Sequence, residues 1–359
     1  MRILFCIPNM AGGGAERQLV YLAGELVRRC WDVHVALLKE GRNFEGLVAT
    51  GAAIHKIAAW GNHDIAILWR LVQLIRHIRP HLVQTWLTQM DVFGGISAKL
   101  TGTPFILSER SCASAYPPNL KNNLRAFTGR YASAIVANSP EGIRYWRSVT
   151  GNDVLAHVVH NALPMAYMEN IEQSASDLPL PVDSRVLLFA GRFSPEKNID
   201  IIIKAFKIAL QQRDAVLLLC GEGELRRQIE KTIEEENLKG KVLLPGFVTN
   251  LPGLMKRATL LISVSSFEGF PNVVLEAMAC GCPLILSDIP AHRAFLDDEK
   301  AVYVDQGSAQ DLARAIQTMM DNPEKAQRLA WKAVSGISSY SISAITDQYE
   351  KIYQSILSR

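Results

Sequence analysis

The chain has 359 residues, enough for two domains that each bury a core of their own. Apolar residues make up 48% and charged residues 20%, the balance of an ordinary soluble globular protein. A net charge of only +3 argues against a dedicated nucleic-acid binder.

Taken in chain order, apolar runs alternate with helical periodicity. Residues 2–8 read as a buried strand, 15–29 as an amphipathic helix and 32–38 as a second strand. A helix over 63–79 stops at Pro80, followed by a strand over 81–86, a helix over 91–101 and a strand over 104–108. A helix near 119–131 and a strand over 134–139 complete the first half. Residues 164–184 carry three prolines and few strand formers, which predicts a linker. The alternation then restarts with a strand over 185–191 and a helix over 199–213. Further strands follow over 215–221, 241–246, 260–265 and 283–287, with a last helix over 343–357. Repeated strand–helix–strand units predict an α/β protein of two Rossmann-like domains, each a parallel sheet covered on both faces. Such sheets bind ligands in the crevice beyond the carboxyl ends of their strands.

Six cysteines with no Cys-x-x-Cys pair fit a reducing compartment. The apolar run after Met1-Arg2 is too short for a signal peptide and leads into a glycine turn. No segment reaches the ~18–20 apolar residues that span a bilayer. A cytoplasmic location follows, with membrane contact from one side at most.

The most informative stretch is SSFEGFPNVVLEAMACGCPLILS, residues 265–287. Glu268 lies just past a strand end, and Pro271 suits the first turn of the next helix, which Gly281 stops. The turn Gly269-Phe270-Pro271-Asn272 leads into that helix, and the free N–H groups around Phe270 to Val273 therefore face an anion with its positive end. Glu276 falls on the first turns, where its carboxylate can accept two hydrogen bonds from the vicinal hydroxyls of a ribose. The spacing suits a sugar–diphosphate–nucleoside. Arg192 and Lys197, in FAGRFSPEKN at 189–198, follow the first strand of the same domain and can stabilise a departing diphosphate. Gly221-Glu222-Gly223 and the PGFV run ending in Val248 can hold a flat base against backbone atoms.

Gly191-Arg192 with Glu196-Lys197, Gly221-Glu222-Gly223 and the run from Phe267-Glu268 through Glu276 to Gly281 resemble the retaining glycosyltransferases of family 4. The Gly12-Gly13-Gly14-Ala15-Glu16 loop, Asn138-Ser139 and His160-Asn161-Ala162 extend the resemblance over nearly the whole chain. It implies the GT-B fold, two Rossmann-like domains facing across a central cleft. The first would be an acceptor-side domain over 1–163, completed by the helix over 343–359. The linker over 164–184 would lead to a nucleotide-sugar domain over 185–342. The resemblance further implies that Glu276 holds the ribose, Glu268 contacts the transferred hexose, and Arg192 and Lys197 bind the diphosphate. Gly13 and Gly14 would let backbone approach donor or acceptor. The family transfers a sugar from a nucleotide donor with retention and usually needs no metal, and no Asp-x-Asp occurs here. No cofactor is expected.

Many members carry a histidine at the end of the first-domain strand that faces the hexose. Here that strand ends Ser108-Glu109-Arg110, so Glu109 or Arg110 takes over its contacts, or the acceptor differs. This ending looks like a subset that builds bacterial surface polysaccharides and lipid-linked oligosaccharides, which implies a saccharide acceptor on polyprenyl diphosphate, while the commonness of UDP donors in the family implies a UDP-sugar. Two other readings are open. One is a glycosyltransferase-like partner subunit that binds nucleotide sugar without turnover. The other is a dinucleotide oxidoreductase, against which stand the missing G-x-G-x-x-G spacing and the Leu37-Leu38-Lys39 end of the second strand.

Residues 1–164 hold 17 Lys/Arg against 10 Asp/Glu, a net of +7, while the remainder is acidic. Between 110 and 147 six basic residues face a single acid, Glu141. Over 115–131 Leu120, Leu124, Phe127 and Tyr131 recur at helical spacing, flanked by Lys121, Arg125 and Arg130. That pattern predicts either an ordinary surface helix or a face resting on an anionic membrane, the inner face of the plasma membrane.

Overall fold

The computed structural model describes residues 1–61, 64–111, 113, 116–151, 154–171, 180, 184–210 and 214–358. It divides into two compact units. Unit 1 comprises Met1–Ala162 with Ser339–Arg359, and unit 2 comprises Leu163–Ser338.

Unit 1 contains strands β1 (Arg2–Cys6), β2 (Asp32–Leu37), β3 (Ala53–Lys56), β4 (Leu82–Trp86), β5 (Phe105–Glu109), β6 (Ala134–Ala137) and β7 (Ala156–Val158). They form one parallel sheet in the order β3-β2-β1-β4-β5-β6-β7. Its helices are α1 (Gly14–Arg28), α2 (Phe44–Ala49), α3 (Ala66–Ile78), α4 (Leu87–Thr101), α5 (Leu120–Gly129) and α6 (Pro140–Thr150), joined by the C-terminal helix Ile342–Leu357. Every residue of β4 and β5 is buried, as expected for central parallel strands covered on both faces, including the polar Gln84, Thr85, Ser108 and Glu109. One core lies between the sheet, α1 and the C-terminal helix, where Leu19, Leu22 and Leu26 meet Tyr349, Ile352 and Tyr353. The other lies beneath α3, α4 and α6, around Ile67, Leu71, Met90 and Trp146.

Unit 2 begins with α7 (Met165–Asn170) and continues through β8 (Val186–Ala190), α8 (Ile199–Ala209), β9 (Val216–Cys220), α9 (Arg226–Glu235) and β10 (Val242–Gly246). Then follow α10 (Leu251–Arg257), β11 (Leu260–Ser263), α11 (Asn272–Ala279), β12 (Leu284–Ser287), α12 (Pro290–Arg293), β13 (Val302–Val304), α13 (Ala309–Asp321) and α14 (Pro323–Val334). The strands form a second parallel sheet in the order β10-β9-β8-β11-β12-β13. In both sheets the order reverses beside the first strand, between β1 and β4 and between β8 and β11. The loops that leave the carboxyl ends of these strands therefore diverge and open a crevice in each unit.

Three expectations change. The helix after β4 starts at Leu87, directly from the strand, because Leu87 turns the chain in the left-handed region at φ 66°. Part of the expected linker is the helix α7, which packs on α11, while 172–179 and 181–183 lie outside the described residues. Arg125, expected on the basic flank of the 115–131 stripe, is 1% exposed. Its position on α5 turns it toward the sheet, where Asp91 and Glu109 accept from it at 2.7 and 2.9 Å. The stripe itself is outward: Leu120, Leu124, Phe127 and Tyr131 are exposed, with Lys121 and Arg130 beside them. Among the described residues no helix is long and apolar enough to cross a membrane.

Candidate functional site

In unit 2 the loop after β8 and the loop after β11 flank the reversal point, and they are stitched together. Asn198, left-handed at φ 51°, donates from its side-chain amide to the Val264 carbonyl at 2.9 Å and to the Ser266 hydroxyl at 3.0 Å. The Ser266 amide donates to the Glu196 carbonyl at 2.8 Å. This brings Lys197 onto Glu268 in a direct ion pair, both side chains largely covered. Ser265 adds a 2.7 Å hydrogen bond to the same Glu268 oxygen. Arg192, on the same loop, is exposed.

Behind the pair, the Ser287 hydroxyl donates to the Ser265 carbonyl at 2.7 Å, and the Nδ1 of fully buried His292 lies 2.9 Å from the Ser287 carbonyl. Because Nδ1 meets a carbonyl, it carries the proton, and burial holds the ring below its usual pKa. Sequence reading missed this support; the signal was the Ser-Asp-x-Pro-x-His spacing after β12.

Phe270 is buried and packs against Phe295 with ring centroids 4.9 Å apart. Gly269 and Asn272 are half-buried around it, and Pro271 caps α11 without a side-chain hydrogen bond. The start of α11 therefore presents amides and the positive end of its dipole. Glu276 sits in the second turn, 5% exposed. At the end of β9, Gly221 takes φ +144°, and a Cβ there would fall 1.9 Å from the Gly191 carbonyl oxygen. Glycine is required for these two loops to touch. Glu222 pairs with Arg226 at 2.6 Å, and Val248 is half-buried just past β10. All the unit 2 candidates thus lie at strand ends or on α11.

In unit 1, Gly13 and Gly14 open α1 after β1; a Cβ on Gly13 would meet the Glu16 carboxylate at 2.5 Å. The two candidates at the end of β5 part ways. Glu109 is fully buried, accepting from the Ser111 amide at 2.8 Å, the Tyr116 hydroxyl at 2.6 Å, Trp146 Nε1 at 2.9 Å and Arg125 at 2.9 Å. Those bonds commit both oxygens to the interior. Arg110 instead lies over the Trp86 ring, its Cζ 4.1 Å from the ring centroid, donating to Asn161 at 3.1 Å and to the Tyr349 hydroxyl at 2.5 Å. It borders a cavity of about 10 Å³, room for a single oxygen and far too small for a sugar. Asn138 is 3% exposed, its amide donating to the Glu109 carbonyl and its Oδ1 without a partner among the described residues.

Asp91 shares Arg125 with Glu109. Two carboxylates facing one guanidinium in the interior leave an excess negative charge, and burial raises the Asp91 carboxyl to about 6. Among the described residues no group of three or more His, Cys, Asp or Glu side chains is placed to hold a metal ion.

Residues 12–166 match the family described as Glycosyltransferase Family 4, and residues 170–334 match Glycosyl transferases group 1. The chain is 27% identical over 336 residues to the N-acetylgalactosamine-N,N'-diacetylbacillosaminyl-diphospho-undecaprenol 4-alpha-N-acetylgalactosaminyltransferase of Campylobacter jejuni, covering 88% of this chain and 89% of that protein. It is 26% identical to the lipopolysaccharide core biosynthesis glycosyltransferase LpsD of Rhizobium meliloti, covering 95% of each. Among solved structures, Anabaena HepE in complex with UDP and glucose superposes with a TM-score of 0.87 at 21% identity, over 99% of this chain and 100% of that one. The fold is therefore the GT-B fold of these neighbours, as the motifs imply.

Proposed function

We propose, for a chain that belongs to the group 1 and family 4 glycosyltransferases, that it moves a hexose or N-acetylhexosamine from a UDP-sugar to a lipid-linked saccharide, with retention and without a metal ion. The observation that carries this reading is the Lys197–Glu268 pair at the reversal point of the unit 2 sheet, between an uncapped helix start and exposed Arg192. The anomeric C–O bond to the diphosphate breaks, and an oxygen of the acceptor hydroxyl takes its place. The hydroxyl proton passes to the departing diphosphate. Lys197, Arg192 and the α11 amides meet the charge that grows on that diphosphate. Glu268 faces the sugar, and Glu276 accepts from the ribose hydroxyls. The UDP donor has support from HepE, solved with UDP and glucose, and the acceptor from the diphospho-undecaprenol in the Campylobacter enzyme's name.

A panel of UDP- and GDP-sugars, read by nucleoside diphosphate release, tests the reading. Slow hydrolysis of one UDP-sugar is expected, undiminished by excess EDTA. Binding without release would favour a non-catalytic partner subunit, and EDTA inhibition rescued by Mg²⁺ or Mn²⁺ would overturn metal independence.

Glu276→Gln keeps the shape and removes the charge of the ribose acceptor. Calorimetry should show nucleoside diphosphate binding weakened about tenfold. Unchanged affinity would mean that Glu276 serves the protein interior.

A lipid-linked acceptor also calls for contact with the inner face of the plasma membrane. The α5 stripe supports it, with Lys121 and Arg130 beside four exposed apolar side chains and Lys99 over the Tyr131 ring at 4.8 Å.

A further inference from the structure

A second group of exposed apolar side chains lies on the same layer of unit 1, at the start of α3. Trp60 is 96% exposed, Ile65 77% and Trp69 60%. On α3, Ile67, Leu71, Ile75 and Ile78 are buried against the sheet, so helical spacing places Ile65 and Trp69 on the opposite face. Trp60 is not on a loose strand of chain. Its amide donates to Asp64 at 3.0 Å, Asp64 also accepts from the Ala66 amide at 2.9 Å, and Arg70 grips the Ala58 carbonyl. Trp60 is thus tied to Asp64, directly ahead of the helix start that carries Ile65 and Trp69. Large apolar side chains left exposed near one helix start mark an interaction site.

We propose that Trp60, Ile65 and Trp69 are a second contact with an anionic bilayer, so that unit 1 docks through α3 as well as α5. The proposal rests on the membrane reading of α5. α3 packs on α4 and α4 on α5, all on one face of the sheet, and the outward sides of α3 and α5 therefore look the same way. On α4 between them, Leu100 and Lys99 are exposed next to Tyr131. Charge selects the occupant. Residues 1–164 carry a net +7, and exposed Arg76, Lys99, Lys121 and Arg130 lie along this layer. Indole and phenol rings settle at the headgroup level, where an apolar body and a polar tip are both satisfied, and basic side chains between them meet anionic lipid. A protein partner would need acids to match these bases, whereas phosphatidylglycerol supplies them over the whole plane.

The test uses vesicles of phosphatidylglycerol and phosphatidylcholine with dibrominated acyl chains, which quench an indole that enters them. Wild-type emission should be quenched. Trp60→Ser with Trp69→Ser should abolish most of the quenching and weaken vesicle affinity about tenfold or more, given the area two indoles bury. Trp331→Phe, at an exposed indole of unit 2, should change neither. Lys121→Glu with Arg130→Glu reports on α5 separately. If the double tryptophan variant binds and is quenched like wild type while the α5 variant is not bound, the α3 proposal fails and the α5 reading stands. If the α5 variant binds like wild type and the tryptophan variant does not, α3 stands and α5 fails. Wild type that ignores these vesicles at low salt overturns both. A lipid-free dimer that Trp60→Ser with Trp69→Ser dissolves would assign the cluster to a second copy of the chain and overturn the bilayer.

Discussion

Lys197→Ala should fold like wild type and lose about 10²–10³ in kcat at saturating donor, the cost of removing one fixed stabiliser of transition-state charge. The lysine is held in place before any substrate arrives, by Glu268 and by the Asn198 and Ser266 hydrogen bonds that fix its loop. It therefore loses little freedom when it meets the diphosphate, and its effect should appear in kcat more than in KM. Release of nucleoside diphosphate under saturating donor is the measurement. Turnover within a few-fold of wild type would remove Lys197 from the leaving-group role and shift it to Arg192 or the α11 amides.

Arg125→Met should cost about 3–5 kcal/mol of stability, because it strands two buried carboxylates without their shared cation. Urea unfolding followed by tryptophan emission reads it, and a loss below about 1 kcal/mol would mean that water reaches the cluster. Asp91 adds a pH signature. Its carboxyl is raised in the folded state to about 6, so the folded chain holds a proton that the unfolded chain has released. Stability contributed by this group is then lost as pH rises from about 4 to about 6, and is flat beyond either limit. Asp91→Asn should flatten that slope. If the slope persists in Asp91→Asn, another group carries it.

The central strands were legible because a parallel sheet buried on both faces leaves apolar runs, as in β8 and β9, whereas the short edge strands β3, β7 and β13 leave no such run and were not read. The unit 2 candidates could be placed from sequence for a related reason: they lie close together in the chain, Arg192 with Lys197 and Glu268 through Glu276, at strand ends and the start of the next helix. What the sequence hid depends on which way a side chain turns. Glu109 and Arg110 are neighbours, yet one faces the interior and one the strand-end surface, and only the distant partners Trp146, Tyr116 and Arg125 decide it. Arg125 read as a surface cation because its acids, Asp91 and Glu109, come from other elements. Trp60 and Trp69 carried no periodic signal of exposure, since an indole at such positions is as readily core as surface.

The C-terminal helix has a consequence for how the molecule is made. Ile345, Tyr349, Ile352, Tyr353 and Ile356 belong to the core of unit 1, and the Tyr353 hydroxyl donates to Gln84 on β4. A ribosome therefore delivers every residue of unit 2 before it delivers the side of unit 1 that these five residues close. Unit 2 can fold as it emerges, while the strands made first wait with an uncovered flank. The half synthesised first is the half completed last, and a chain cut before Ile342 would leave that flank open to chaperones and to aggregation.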